Sequence, residues 1–216
     1  LFLAIPLTDE ARHGIVHHLK AHLAHPLPGR PVRPELWHLT LRFLGEVDEV
    51  GADRVVREVD AAARGAAFTL RWGSLGAFPR PRRANVLWLG VDQGDREAQG
   101  LAAEVEEAVE AAGFPPEDRP YRSHLTLSRI RPDQDVTAVL DAVPPLGLAM
   151  PVDRVVLYRS HLGPGGPRYE VLESFPKLLD DYAQRYGGTP RVVLVRGFGM
   201  IGVDVSKRSV ETCLDV

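Results

Sequence analysis

The sequence predicts an α+β fold built on antiparallel sheets, and three observations lead there. The tetrapeptide His-Leu-Thr-Leu occurs twice, at His38–Leu41 and His124–Leu127, alternating polar and apolar residues with the period of a strand. Each copy ends a strand, helix, strand run, so the chain reads as a diverged duplication with one motif per half, the two histidines 86 residues apart. The connections are mixed, which favours antiparallel pairing over a doubly wound parallel sheet.

The elements follow in order. Residues 1–7 are apolar and read as a buried first strand, too short and without the basic leader of a signal peptide. Thr8-Asp9-Glu10 is a capping signal for a helix over residues 9–25, ended by Pro26 and Pro28-Gly29. Residues 36–44 form the first motif strand, closed by Gly45, and a helix over 49–64 follows with apolar Val50, Val55, Val56 and Val59. Residues 68–72 read as a strand, 78–83 as a Pro/Arg-rich loop and 85–91 as a strand. Residues 95–112 are the clearest helix, closed by Gly113. The second motif strand covers 121–130, and a loop with a short helix spans 131–150. Residues 152–160 and 169–175 read as a strand pair joined by a Gly/Pro turn at 162–167. In the tail, residues 177–186 read as a short helix, 191–196 as a strand and 197–202 as a glycine-rich turn without the spacing of a dinucleotide fingerprint. Residues 1–176 are therefore taken as one domain and 177–216 as an extension of unassigned role.

Bulk properties narrow the function. The 216 residues are 44% apolar and 25% charged, with a formal net charge of −3, so a broadly basic duplex binder is excluded and any nucleic-acid contact must be local. The single cysteine, Cys213, permits no intrachain disulfide, which fits a reducing cytoplasmic setting and offers no CxxC or histidine partner for a nucleophile. No apolar run has the length of a membrane span.

The twin motif carries the chemistry. Period two throws His38 and Thr40 onto one face of their strand, and His124 and Thr126 onto one face of theirs. Two imidazoles supply a general acid and a general base on opposite sides of a phosphorus, and two hydroxyls donate to its non-bridging oxygens. This inventory suits in-line cleavage of a phosphodiester without a metal. Arg42 and Arg122 share the histidine face by parity and are candidates for phosphate contact, with an outward strand-end arginine as the alternative for Arg42. Phe43, Trp37 and Tyr121 fall on the leucine face, where Phe43 is expected in the core. Arg80, Arg82 and Arg83 read as a solvated loop or a contact to distant RNA phosphates. Trp37, Phe43, Phe78 and Tyr121 are the candidates to stack on a base, and none of them is assigned that role. His13, His17, His18, His22 and His25 populate the first helix, some at i, i+4 spacing, but with no third ligand in view they read as a solvated face. His161 shows no partner.

The segments LFLAIPL (1–7), WHLTLRFLG (37–45), LGAFPRPRR (75–83), YRSHLTLSRI (121–130) and VVLYRSHLGPGGPRY (155–169) resemble the 2H phosphoesterases, most closely the RNA 2′,3′-cyclic phosphodiesterases also called 2′-5′ RNA ligases. The resemblance spans residues 1 to about 176. It implies a bilobal α+β fold, two antiparallel sheets with flanking helices related by a pseudo-two-fold, and an active-site cleft between the lobes. It implies hydrolysis of RNA 2′,3′-cyclic phosphate ends to 2′-phosphates, with no cofactor and no metal, and the reverse 2′-5′ joining. Under it His38 is the proton donor, His124 the proton acceptor, and Thr40 and Thr126 bind the phosphate. Arg129 has the opposite parity, but the family places an arginine after the second motif, and a bulge would turn it to the phosphate. The implied partners are RNA ends or small cyclic-phosphate nucleotides, bound by a monomer. Another cyclic phosphate or a 2′-5′ oligonucleotide is the alternative substrate, and a non-catalytic RNA-end binder the alternative class.

Overall fold

Local sequence signals set the element boundaries in the computed structural model, which describes residues 1–62, 66–176, 192–195 and 199–202. Strand β1 (Phe2–Pro6) leads into helix α1 (Asp9–His22), whose start is fixed by Thr8 Oγ1 accepting from the Ala11 N–H at 3.1 Å. Its buried residues Ala11, Ile15 and Leu19 recur every four positions and define the face laid on the sheet. A short strand β2 (Arg30–Pro31) and a 3₁₀ turn (Pro34–Leu36) precede the first motif strand β3 (His38–Phe43). Helix α2 (Glu49–Ala62) buries Val55 and Val59, and Asp48 caps it by accepting from the Gly51 N–H at 2.8 Å.

Strands β4 (Phe68–Arg80) and β5 (Arg83–Gln93) form a long hairpin with only Pro81 and Arg82 between them. The expected Pro/Arg-rich loop is thus mostly strand, because cross-strand pairing runs on to Arg80 and Arg83. Helix α3 (Asp95–Ala111) starts after Gly94, held at φ 80°, and buries Ala98, Leu101, Ala102, Val105, Ala108 and Val109. The second motif strand β6 (His124–Gln134) follows, then the short helix α4 (Thr137–Ala142). Strand β7 (Ala149–Val152), absent from the sequence expectation, pairs with β4, while β8 (Arg154–Gly163) and β9 (Gly166–Pro176) make the expected hairpin.

Among the described residues the main sheet is one continuous antiparallel sheet in the order β7-β4-β5-β6-β3-β1-β8-β9, with β2 beside β6. This corrects the expectation of two separate sheets. The motif strands join what would be two halves, since Leu39 of β3 pairs with Leu125 of β6. In the tail, β10 (Val192–Val195) is the expected strand, and it pairs antiparallel with β11 (Gly199–Gly202), which replaces the expected turn. The expected helix at 177–186 and Cys213 lie outside the described residues.

The leucines of both motifs, Leu39, Leu41, Leu125 and Leu127, are buried in the same cluster as the inward residues of α1, α2 and α3. The helices therefore cover the leucine face, and the histidine face is left for the site. Close approach fixes one glycine at its rim. Gly29, at φ 78°, brings the chain against β6, where an added Cβ would sit 2.5 Å from the Arg129 carbonyl oxygen.

Candidate active site

Both motif histidines are held in the same way. His38 Nδ1 lies 2.8 Å from the Leu36 carbonyl oxygen, and His124 Nδ1 lies 2.8 Å from that of Arg122. A carbonyl only accepts, so each Nδ1 carries the hydrogen, and in the neutral ring Nε2 is left with its lone pair. The two imidazoles are thus presented in one tautomer by one local device, a bond to the residue two positions upstream.

The Leu39–Leu125 pair sets the mutual register. Continuing it by one residue each way puts His38 across from Thr126 and Thr40 across from His124. The two histidines then stand on a diagonal, where residues are about 7–8 Å apart and their Cβ atoms somewhat closer, within reach of one phosphoryl group. His38 and His124 each carry a lowered pKa, because burial penalises the imidazolium. For His38 the value falls to about 4, with smaller contributions from Arg129 and His124. For His124, Arg129 and Arg122 add to the burial effect. Both lowered values favour the neutral ring near pH 7.

A bulge in each motif strand decides where the arginines go. On β3, Leu3 of β1 pairs with Arg42 and Ala4 with Thr40, so Leu41 is the extra residue. Parity reverses beyond it. Arg42 turns to the helix side, where it is only 9% exposed, while Phe43 turns outward and is 54% exposed. The expectation of Arg42 at the phosphate and Phe43 in the core is corrected on both counts. Arg42 Nε lies 2.7 Å from Glu106 of α3, Nη1 lies 3.4 Å from Glu117, and Nη2 donates to the Pro115 carbonyl. A guanidinium so committed is unavailable to a phosphate.

The same bulge recurs on β6. Leu87 of β5 pairs with Ser128 and Trp88 with Thr126, leaving Leu127 as the extra residue. Ser128 is buried, its hydroxyl donating to the Pro28 carbonyl, and Arg129 turns to the histidine face. Arg129 is exposed, and its charge bears on His38, His124 and Tyr169. No ion pair neutralises it among the described residues. Arg122 stands beside His124 with its guanidinium 5.7 Å from the Phe78 ring centroid.

Aromatic rings wall each histidine. His38 packs against Phe2 (centroids 4.8 Å apart), Tyr169 (5.3 Å) and Tyr158 (6.3 Å). His124 meets Phe78 edge-on at 5.1 Å and Trp88 at 6.3 Å. Sequence reasoning singled out Phe78 but missed Phe2, Tyr158, Tyr169 and Trp88. The tyrosines lie within the segment that carried the family resemblance, so that match held their signal without a role. Trp37 is in the core, its indole N–H donating to the Val32 carbonyl at 3.0 Å, and Tyr121 packs against the core with its hydroxyl pKa pushed up to about 12 by burial. Neither is among the rings that wall the two imidazoles.

Outside the site, Arg83 pairs with Asp133 at 3.0 Å. His161 has a partner after all, Glu170 at 2.7 Å across the β8–β9 hairpin. On α1, His18 Nε2 engages the Pro144 carbonyl and His22 Nδ1 the His18 carbonyl, so two ring nitrogens of that i, i+4 pair are already bonded. Among the described residues no helix is long and apolar enough to cross a membrane.

An antiparallel sheet with helices on one face and paired His-x-Thr strands on the other defines a 2H phosphoesterase. The 2′-5′ RNA ligase superfamily model matches residues 7–164, and the chain belongs to that family. It is similar to the RNA 2′,3′-cyclic phosphodiesterase of Thermus thermophilus, at 37% identity over 81% of this chain and 88% of the relative. The enzyme of the same name from Aeropyrum pernix is 34% identical over 74% of this chain and 93% of the relative. The crystal structure of Escherichia coli LigT complexed with 3′-AMP superposes with a TM-score of 0.69 at 31% identity, over 81% of this chain and 95% of that one.

Proposed function

We propose that the protein is an RNA 2′,3′-cyclic phosphodiesterase that opens a cyclic phosphate end to a 2′-phosphate without a metal. The observation that carries this reading is the pair of imidazoles, each held by the same Nδ1 bond, set on adjoining strands across from the other motif's threonine. Water attacks phosphorus as His124 Nε2 takes its proton, and the P–O3′ bond breaks as His38 gives a proton to the departing oxygen. Thr40 and Thr126 donate to the non-bridging oxygens, and Arg129 adds positive charge where negative charge builds. Arg122 borders the same anion from the His124 side. With a 5′-hydroxyl in place of water as the attacking group, the same forward displacement breaks the P–O3′ bond and joins two RNA ends through a 2′-5′ linkage. Curated relatives named for this hydrolysis, matched over most of their length, support the assignment.

The reading includes a two-lobe plan within residues 1–176. The repeats are β1-α1-β3 and β5-α3-β6, and the cleft opens where β3 meets β6. The matching strand order on either side of that junction and the matching bulges support it.

The test is product analysis on an oligonucleotide ending in a 2′,3′-cyclic phosphate, with EDTA present. The expected product is a 2′-monophosphate end. A 3′-phosphate product, binding without turnover, or activity lost to EDTA and restored by zinc would each overturn the reading.

A further inference from the structure

The walls on the two sides of the scissile position are not alike, and the difference bears on how the RNA lies. Beside His38 a hollow of about 390 Å³ opens between the 3₁₀ turn and the β8–β9 hairpin, and its lining includes Arg33, Glu35, Trp37, His38, Arg168 and Tyr169. That volume falls within the roughly 300–1,000 Å³ of small-ligand sites. Its floor is the buried Trp37, and its side is Tyr169, set edge-on to His38 at an interplanar angle of 78°. Tyr169 also feels the charge of Arg129, so one ring borders both the hollow and the phosphate position. At the rim, Arg33 anchors one nitrogen on the Pro167 carbonyl at 3.1 Å, and Arg168 is exposed with no ion pair among the described residues.

We propose that this hollow seats the nucleoside bearing the cyclic phosphate, base against Tyr169, and that Arg168, with Arg33, takes the phosphate on that nucleoside's 5′ side. The inference rests on the hydrolase reading above and adds the direction of the RNA. The leaving 3′-oxygen belongs to the terminal ribose, so the group that protonates it must stand on the ribose side. An aromatic hollow with arginines at its mouth lies on the His38 side, which places the acid there. The incoming water, or the 5′-hydroxyl that replaces it in the joining reaction, then approaches from the side of His124. An aromatic face accepts any base by stacking, and rim arginines read only backbone charge. The enzyme therefore prefers chain ends to free nucleosides without selecting sequence.

The experiment compares nucleoside 2′,3′-cyclic phosphates carrying a 5′-hydroxyl or a 5′-methylphosphate. In the native protein the 5′-methylphosphate lowers KM about tenfold, the worth of one charge-assisted contact at a solvated rim. Arg168→Gln removes that advantage, bringing KM for the 5′-methylphosphate substrate to that of the 5′-hydroxyl substrate measured on the same variant, and Tyr169→Leu raises KM for both. The inference fails if the 5′-hydroxyl substrate is hydrolysed but the 5′-methylphosphate confers no advantage, or if Arg168→Gln preserves it. If neither substrate is hydrolysed, the hydrolase reading fails instead.

Discussion

Burial of His38 makes a prediction about stability that is independent of any activity assay. The folded protein holds the His38 proton with a pKa of about 4, against an ordinary value of 6.5 in the open chain. Because the unfolded chain binds this proton more tightly, acid favours unfolding. The penalty is absent above pH 6.5, grows as pH falls, and is complete below pH 4. Linkage across that gap gives a loss of about 2 kcal/mol from this group between pH 7.5 and pH 5. His38→Asn is the informative change, since an asparagine amide reaches the place of Nδ1 and can still donate to the Leu36 carbonyl, but does not titrate. Urea unfolding at the two pH values, with native and variant proteins side by side, reads the effect. The native protein is expected to lose about 2 kcal/mol more than the variant on acidification. Equal pH dependence in the two proteins would refute the argument that burial holds His38 neutral. The same depression bears on catalysis. In the proposed mechanism His38, neutral in the free protein, acquires its proton as the anionic substrate arrives, because a nearby negative charge favours the imidazolium.

Two further perturbations separate the structural arginine from the catalytic face. Arg42→Met leaves Glu106 and the Pro115 carbonyl without their cation and Glu117 with Arg119 alone; both carboxylates keep some solvent contact, so unfolding free energy should fall by about 2 kcal/mol. Turnover per folded molecule should stay within about twofold, and a large loss of kcat in a folded variant would put Arg42 back at the phosphate. Thr126→Val deletes a hydroxyl placed for a non-bridging oxygen and should lower kcat on the order of 10²-fold with little change in KM. A loss smaller than about threefold would show that the hydroxyl does not serve the transition state.

Much of this architecture is legible in the sequence because local signals and periodicity agree. Thr8 and Gly113 mark helix ends where the structure has them, and α1, α2 and α3 fall within a few residues of their expected spans. The expected α1 runs to residue 25 but the helix ends at His22, since Leu23 is already extended at φ −110° and ψ 120°. Strand β7 was invisible for a physical reason. Its Ala-Met-Pro-Val segment has a proline and no alternation, and it is a strand only because Leu70 and Thr69 of β4 offer partners. The single sheet was hidden likewise, since no local signal announces that Leu39 will meet Leu125.

The site shows how far period-two reasoning reaches and where it stops. Alternation places His38 with Thr40 and His124 with Thr126, and the structure keeps those pairs on one face. Two residues beyond each threonine the rule breaks, because one extra leucine on each motif strand shifts the register against its neighbour. Counting from the histidines, Arg42 and Ser128 occupy equivalent positions, as do Phe43 and Arg129. In both strands the first of these becomes a buried polar anchor bonded to a main-chain carbonyl, Pro115 for Arg42 and Pro28 for Ser128. In both strands the second turns outward, on the side opposite the leucines. The bulge therefore does the same work twice: it fastens the motif strand to the chain beside it, and it brings one further side chain out from the sheet. What distinguishes the halves is the identity of that side chain, a phenylalanine packed on Phe2 in one and a free guanidinium beside both imidazoles in the other. A duplicated backbone device thus carries an unduplicated charge, and in the proposed mechanism Arg129 joins Arg122 to supply the phosphate's counter-charge from the His124 half.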